Sequence, residues 1–308
     1  MALDVSVLIC TRDRSEMLDG CLRSVLACSP PPAEVVVVDQ SRDEATRKVV
    51  CLHQGGRVPV RYLRGEGFGL SRAKNQGIAD CNASVIAFTD DDCRVDPGWV
   101  EALTGPLRHS EAGAAVGKTL PGSAVPGAEE TFAVYAPKGR PEFSRRTHPW
   151  RVGGGGNFAA SRKVLLEAGE YDERFGPGAR FESAEDMDMV HRLLRSGRRI
   201  VYVPSAVAWH RSWRPSEASR RLSRAYGIGA GAYFTKYLLA GDLLSGWRFV
   251  QRFSVRSAHL LQGLLRGDRR QVREQSIYLV ALFRGAGRYL LSRRPRRMGV
   301  PRLQRGRA

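Results

Sequence analysis

The 308-residue chain carries 49 Lys and Arg against 31 Asp and Glu, a formal charge of +18, with 43% hydrophobic residues, 33 Gly and 16 Pro. That composition excludes a disordered chain, which holds far less apolar material, and a collagen, which needs Gly at every third position. One hydrophobic core is near its practical limit at this length, so a large domain with an appendage is expected.

Charge marks where the appendage begins. Residues 1–210 hold 27 basic and 27 acidic side chains, whereas 211–308 hold 22 basic and 4 acidic, so the whole excess lies in a cationic tail. No stretch reaches the roughly 18 to 20 apolar residues of a membrane span; the run Ile277 to Phe283 is seven. Asp4 stands where a signal peptide would be basic, and no apolar export segment follows, so a cytosolic location is expected. The six cysteines (Cys10, Cys21, Cys28, Cys51, Cys81 and Cys93) form no Cys-x-x-Cys pair and read as reduced, structural residues.

In chain order, Val5 to Cys10 and Glu34 to Asp39 are short β-branched runs, too apolar for half-exposed strands, and Val85 to Thr89 is a third. Between the first two, Met17, Leu18, Cys21, Leu22, Val25 and Leu26 repeat at helical spacing until Pro30-Pro31-Pro32. This alternation predicts an α/β fold with a doubly wound, mainly parallel sheet. Residues 121–150 read as a long loop, Ser161 to Ala168 as a helix, and Ser183 to about Ser196 as another. Arg199 to Val203 and Ala206 to His210 read as two short strands.

Ligands of such sheets bind beyond the carboxyl ends of the strands. There the chain places Thr11, Arg12, Asp13 and Arg14; then Asp39, Gln40 and Ser41; then the carboxylates Asp90, Asp91 and Asp92. Three adjacent carboxylates repel one another unless a cation joins them, and hard oxygen ligands suit Mg²⁺ or Mn²⁺ together with phosphate oxygens. A solvated acidic turn is the plainer alternative. Asp39 terminates a strand, or accepts hydrogen bonds from a nucleotide base. Gly65 to Gly77 brings glycines ahead of a helix, with Arg72 and Lys74 available for phosphate, but matches neither a Walker loop nor a dinucleotide fingerprint.

Seven segments, taken together, resemble the family 2 glycosyltransferases of the GT-A fold in order and approximate spacing. They are Val5 to Arg14, Val35 to Ser41, Ser71 to Gly77, Phe88 to Cys93, Gly153 to Arg162 with Glu170 to Phe175, Ser183 to Leu193, and Ala208 to His210. The resemblance implies that Thr11, Asp39 and Ser41 form the nucleotide-base and ribose pocket and that Asp90 contacts ribose or sugar, with Asp91 in the variable middle position; Arg12, at the same strand end, is expected to contact substrate. Asp92 would ligate the metal, Mn²⁺ or Mg²⁺, with His210 as a further metal or diphosphate contact. The family often has Arg where this chain has Lys74, which keeps the charge and loses the bidentate fork. A carboxylate of Glu185-Asp186, at a helix start, would be the base: Asp186 is expected to deprotonate the acceptor hydroxyl and Glu185 to contact sugar or acceptor. Gly155, Gly156 and Asn157 are expected to line the floor between them.

The implied activity is an inverting transfer of a sugar from a nucleoside diphosphate, UDP foremost, to a glycan or lipid-linked acceptor. A nucleotidyltransferase and a noncatalytic polyanion-binding protein are the alternatives. The catalytic domain is expected over residues 1–210 and a basic amphipathic helical tail over 211–308. In that tail Arg248, Arg252 and Arg256 form a ridge at four-residue intervals, expected to face anionic lipid at the inner surface of the cell membrane; a subdomain packed on the body is the competing arrangement. No nucleic-acid recognition motif is present, and nucleic acid is not an expected partner.

Overall fold

In a computed structural model, the structure describes residues 3–108, 112–122, 129–130, 134–211, 213–214 and 216–292. The strands are β1 (Leu3–Thr11), β2 (Pro32–Asp39), β3 (Val60–Arg64), β4 (Val85–Asp90), β5 (Cys93–Val95), β6 (Ala114–Pro121), β7 (Glu129–Glu130), β8 (Glu142–Phe143), β9 (Asn157–Ser161), β10 (Ile200–His210) and β11 (Trp213–Arg214). The helices are α1 (Ser15–Leu26), α2 (Ala45–Leu52), α3 (Leu70–Asp80), α4 (Trp99–Arg108), α5 (Arg162–Ala168), α6 (Glu185–Arg195), α7 (Ser216–Leu239), α8 (Leu243–Arg266) and α9 (Arg269–Leu291).

One sheet runs β3-β2-β1-β4-β9-β6-β10-β5, with β8 also paired to β10. The run β3 to β4 is wholly parallel, as the continuous apolar strands predict. Beyond β4 the sheet is mixed: β9 is antiparallel to both β4 and β6, and β10 is parallel to β6 but antiparallel to β5 and β8. The expected parallel character therefore holds for the first half of the sheet.

Strand alternation feeds two cores. Val5, Val7 and Ile9 point to the side covered by α1 and α4, where Leu22, Trp99 and Leu103 lie. Leu8, Val36 and Phe88 point to the other, covered by α3, α5 and α6, with Leu165, Met189 and Leu193. The two strands expected near the end of the body are one, β10, whose register against β6 breaks between Val203 and Val207. Pro204 lies inside this break, and a residue without an N–H cannot serve an uninterrupted ladder.

The helices after residue 210 share a third core with the body. Phe175 and Phe181 from the loop before α6 pack against Tyr233, Phe234 and Tyr237 of α7 and Tyr278 and Leu282 of α9. A side chain at Gly231 of α7 or Gly285 of α9 would run into the backbone of the facing helix, so glycine sets how closely the two cross. Among the described residues no helix is long and apolar enough to cross a membrane.

Candidate active site

The carboxyl ends of β1, β2 and β4, the turn before β9 and the start of α6 meet at one rim. Asp90, Asp92, Cys93 and His210 each offer one ligand atom, all within 4.8 Å of one another. Burial, then the charge of Asp92, pushes the Asp90 carboxyl up to about 6. His210 Nε2 lies 3.2 Å from Asp92 Oδ1. Two carboxylates and an imidazole suit Mn²⁺ or Mg²⁺, and the packing of Asp90 against Asp92 is the repulsion a cation would relieve. Cys93 fits such an ion poorly: burial and the charges of Asp90 and Asp92 push its thiol pKa well above normal, and a thiol is a soft ligand.

Opposite this cluster stands the first turn of α6. Asp186 Oδ1 accepts from Lys74 Nζ at 2.6 Å, and Oδ2 accepts from the backbone N–H of Gly155 at 2.9 Å. Burial by itself would lower the Lys74 pKa; the charges of Asp186, Tyr171 and Glu185 outweigh it and raise it well above normal. Glu185, buried beside them, is pushed up to about 8 by burial and then by Asp186. Gly155 and Gly156 link the two clusters: a Cβ on Gly155 would collide with the Asp186 carboxylate, and one on Gly156 with that of Asp90. Only backbone without side chains lets both acids approach one turn.

The model of the family described as glycosyl transferase family 2 matches residues 6–168, more than half of the chain. The chain belongs to this family. It is 28% identical over 217 residues to a glucosyl-dolichyl phosphate glucuronosyltransferase of Haloferax volcanii, spanning 68% of this chain and 69% of that protein. Among solved structures it resembles a Pyrobaculum calidifontis mannosyltransferase in complex with GDP-Man and Mn²⁺, with a TM-score of 0.62, 15% identity and coverage of 96% and 89% of the two chains. It also resembles residues 1–349 of S. aureus TarS in complex with UDP-GlcNAc, with a TM-score of 0.51, 17% identity and coverage of 74% and 66%. These likenesses place the GT-A-like α/β fold. Family membership decides against the nucleotidyltransferase and the noncatalytic binding protein.

Several residues of this glycosyltransferase do other work than their positions in the sequence suggest. Asn157, expected on the sugar floor, is a buried plug: its amide donates to the carbonyls of Lys118 and Ala206 and accepts from Trp99 Nε1, filling the break in β10. Lys74, expected at phosphate, is buried beneath Asp186. Arg72 turns outward to Glu173 at 2.7 Å. Asp39 is 0% exposed, with Oδ2 accepting from Tyr62 at 2.8 Å and Oδ1 from the Ser41 N–H at 2.8 Å. The Ser41 hydroxyl accepts from the Asp13 N–H, and the Thr11 hydroxyl donates to Asp91 at 2.7 Å. Arg12 lies over the Phe68 ring at 3.8 Å. Arg14, which the sequence places at the rim without a role, bridges Asp91 and Asp92 at 3.1 and 3.2 Å.

The first turn of α6 is itself braced by α7. Asp188 is buried and meets Lys236, Tyr237 at 2.8 Å and Arg192 at 3.1 Å. Ser183 donates to the Ala225 carbonyl at 2.9 Å, and His191 Nδ1 lies 2.6 Å from the Tyr233 hydroxyl. The tail that charge marked as an appendage thus holds the helix that carries Glu185 and Asp186. Of the 121–150 loop, residues 123–128 and 131–133 lie outside the described residues. The rest folds back through Tyr135, whose hydroxyl donates to the Arg151 carbonyl at 2.8 Å.

Proposed function

We propose that the protein transfers a hexose from a nucleoside diphosphate sugar to an acceptor hydroxyl with inversion at the anomeric carbon. The observation that carries this reading is the pair of glycines, Gly155 and Gly156, each in contact with a different acid, so that Asp186 and Asp90 face one small space. Asp92 and His210, with Asp90 beside them, would hold Mn²⁺ or Mg²⁺, which when bound neutralises charge on the departing diphosphate.

The chain's own residues do the rest. Asp186 Oδ2, which has the Gly155 N–H as its partner, takes the proton of the acceptor hydroxyl as that oxygen attacks from the face opposite the leaving group. A single displacement inverts the centre and needs no covalent nucleophile. Lys74 fixes the rotamer of Asp186 through Oδ1. Glu185, protonated at neutral pH, is a hydrogen-bond donor for a sugar or acceptor hydroxyl. Thr11, Asp39 and Ser41 form the nucleotide wall indirectly, holding Asp91 and the loops after β1 and β2 in place, and Arg12 is the guanidinium closest in role to a diphosphate contact. UDP is our first choice of carrier and GDP the second, supported by the UDP-GlcNAc and GDP-Man bound in the two structural relatives. The acceptor class is a glycan or a lipid-linked glycan, and the enzyme's place is the inner face of the cell membrane; the basic helices support both assignments.

The test is a screen of nucleotide sugars with Mn²⁺ or Mg²⁺, comparing the parent with Asp186→Asn. Removal of a general base lowers turnover by about 10² to 10⁴. Equal turnover by both proteins removes Asp186 from the role.

A further inference from the structure

Helix α8 is inside out. A surface helix ordinarily turns its apolar stripe to the protein and its charges to water. In α8 the three central arginines face inward. Arg248 is 6% exposed and donates to the carbonyls of Arg146 and Thr147, both at 3.3 Å. Arg252 donates to the Tyr278 hydroxyl at 2.9 Å, and Arg256 donates to Gln275 at 3.1 Å while stacking on the Tyr278 ring at 4.2 Å. The opposite face carries Leu243, Trp247, Val250, Leu261, Leu264 and Leu265, between 49% and 81% exposed. These residues lie on one side of the helix in two groups, 243–250 and 261–265, with Ser254 and Ala258 between them, over about 33 Å, and the whole of α8 contains no acidic residue. The expected outward ridge of arginines is thus corrected: what faces out is apolar.

The patch continues onto α9, where Phe283 is exposed and in ring contact with Phe253 of α8 at 5.6 Å. Monomeric proteins seldom leave so extended an apolar surface in water. Arg266, Arg269, Arg273 and Arg284 are exposed at the end of α8 and along α9, and the sequence that follows, residues 293–308, holds seven further arginines and no acid. A second copy of the chain would bring like charges together around this face, whereas an anionic lipid surface is complementary to them.

We propose that the outer face of α8, continued by Phe283, is a docking surface for an anionic bilayer, its apolar side chains entering the boundary between headgroups and acyl chains while the surrounding arginines meet lipid phosphates. The helix lies in the plane of the membrane, in keeping with the lack of a spanning helix among the described residues. Arg248, on the inward side of α8, ties the helix to the segment that leads into Gly153, so the docked helix is joined to the approach to the site. This placement deepens the lipid-linked choice of acceptor and rests on that reading; the docking surface itself does not.

The test is flotation of the full chain with phosphatidylcholine vesicles, with and without phosphatidylglycerol, comparing the parent with the triple variant Trp247→Ser, Leu261→Ser, Leu265→Ser. Donor hydrolysis without lipid and the sedimentation mass of both proteins are read alongside. The parent floats with the anionic vesicles, and the variant loses at least about tenfold of that partitioning with unchanged hydrolysis, because exposed side chains carry no fold but each contributes buried apolar area in lipid. Equal flotation of both proteins, or no flotation of the parent, overturns the proposal. A parent that sediments as a dimer and does not float, with a monomeric variant, overturns it in favour of self-association. Failure of hydrolysis in the parent with flotation intact counts against the catalytic reading alone.

Discussion

Two groups of acids stand at the same sheet rim and are treated oppositely by the fold. Asp39, at the end of β2, is sealed from solvent and its oxygens are taken by Tyr62 and the Ser41 N–H, with Arg64 at 3.5 Å. Asp90 and Glu185 are pressed toward other acids, and burial pushes their carboxyls up to about 6 and about 8. A satisfied carboxylate makes a wall; a crowded set is a place where a cation, a phosphate or a transferable proton lowers the energy. The difference distinguishes the surroundings of residues that look alike in the sequence.

The sharpest way to break this comparison is at Asp186, where Asp186→Asn is expected to lower turnover by about 10² to 10⁴ and, because it takes the counter-charge from buried Lys74, to lower the urea midpoint as well. Next in size is the brace behind it. Lys236→Met strips the ammonium from Asp188 and from Asp172, 3.0 Å away, and removing one partner of a buried pair costs about 3 kcal/mol, visible in chemical denaturation together with a fall in turnover. A variant that denatures like the parent would show that α7 does not hold α6. Asp39→Ala leaves the Tyr62 hydroxyl and the Ser41 N–H without their acceptor, a loss of about 1 to 3 kcal/mol in stability with little change in turnover at saturating donor.

The smallest effect is a pH dependence of the metal-free protein. Glu185 has a raised folded pKa, so the native state keeps a proton that the unfolded chain has released; the associated stability is present at low pH and lost as pH rises through about 8. Buried His148 and His191, pushed down to about 4 by desolvation, act in the opposite sense but only at lower pH. Between pH 7 and 8.5 the parent is therefore expected to lose about 1 kcal/mol, and Glu185→Gln to flatten the slope. A parent whose melting temperature rises over that interval would contradict the shift.

Much of this site was legible from strand ends: apolar runs stop where Thr11, Asp39 and Asp90 begin, and a helix start announces Glu185-Asp186. What stayed hidden depended on tertiary placement. Asn157 reads as a polar residue after glycines, and its use as a plug exists only because β10 breaks beside Pro204. The glycine-rich stretch 227–231 has weak intrinsic helix propensity, yet it is helical in α7, where Gly227 and Gly231 allow the close crossing with α9 and Gly229 lies against Ser183. For α8 the spacing gives two stripes and cannot say which one faces the protein; Tyr278, Gln275 and the carbonyls of Arg146 and Thr147 decide that the arginines do.

The contrast between sealed and crowded acids is tested most directly by thermal melting with Mn²⁺ and UDP, in the parent, Asp39→Asn and Asp92→Asn. The two ligands are expected to raise the melting temperature of the parent and of Asp39→Asn and to leave Asp92→Asn unmoved. An equal rise in all three proteins would contradict the assignment of the cation to the end of β4.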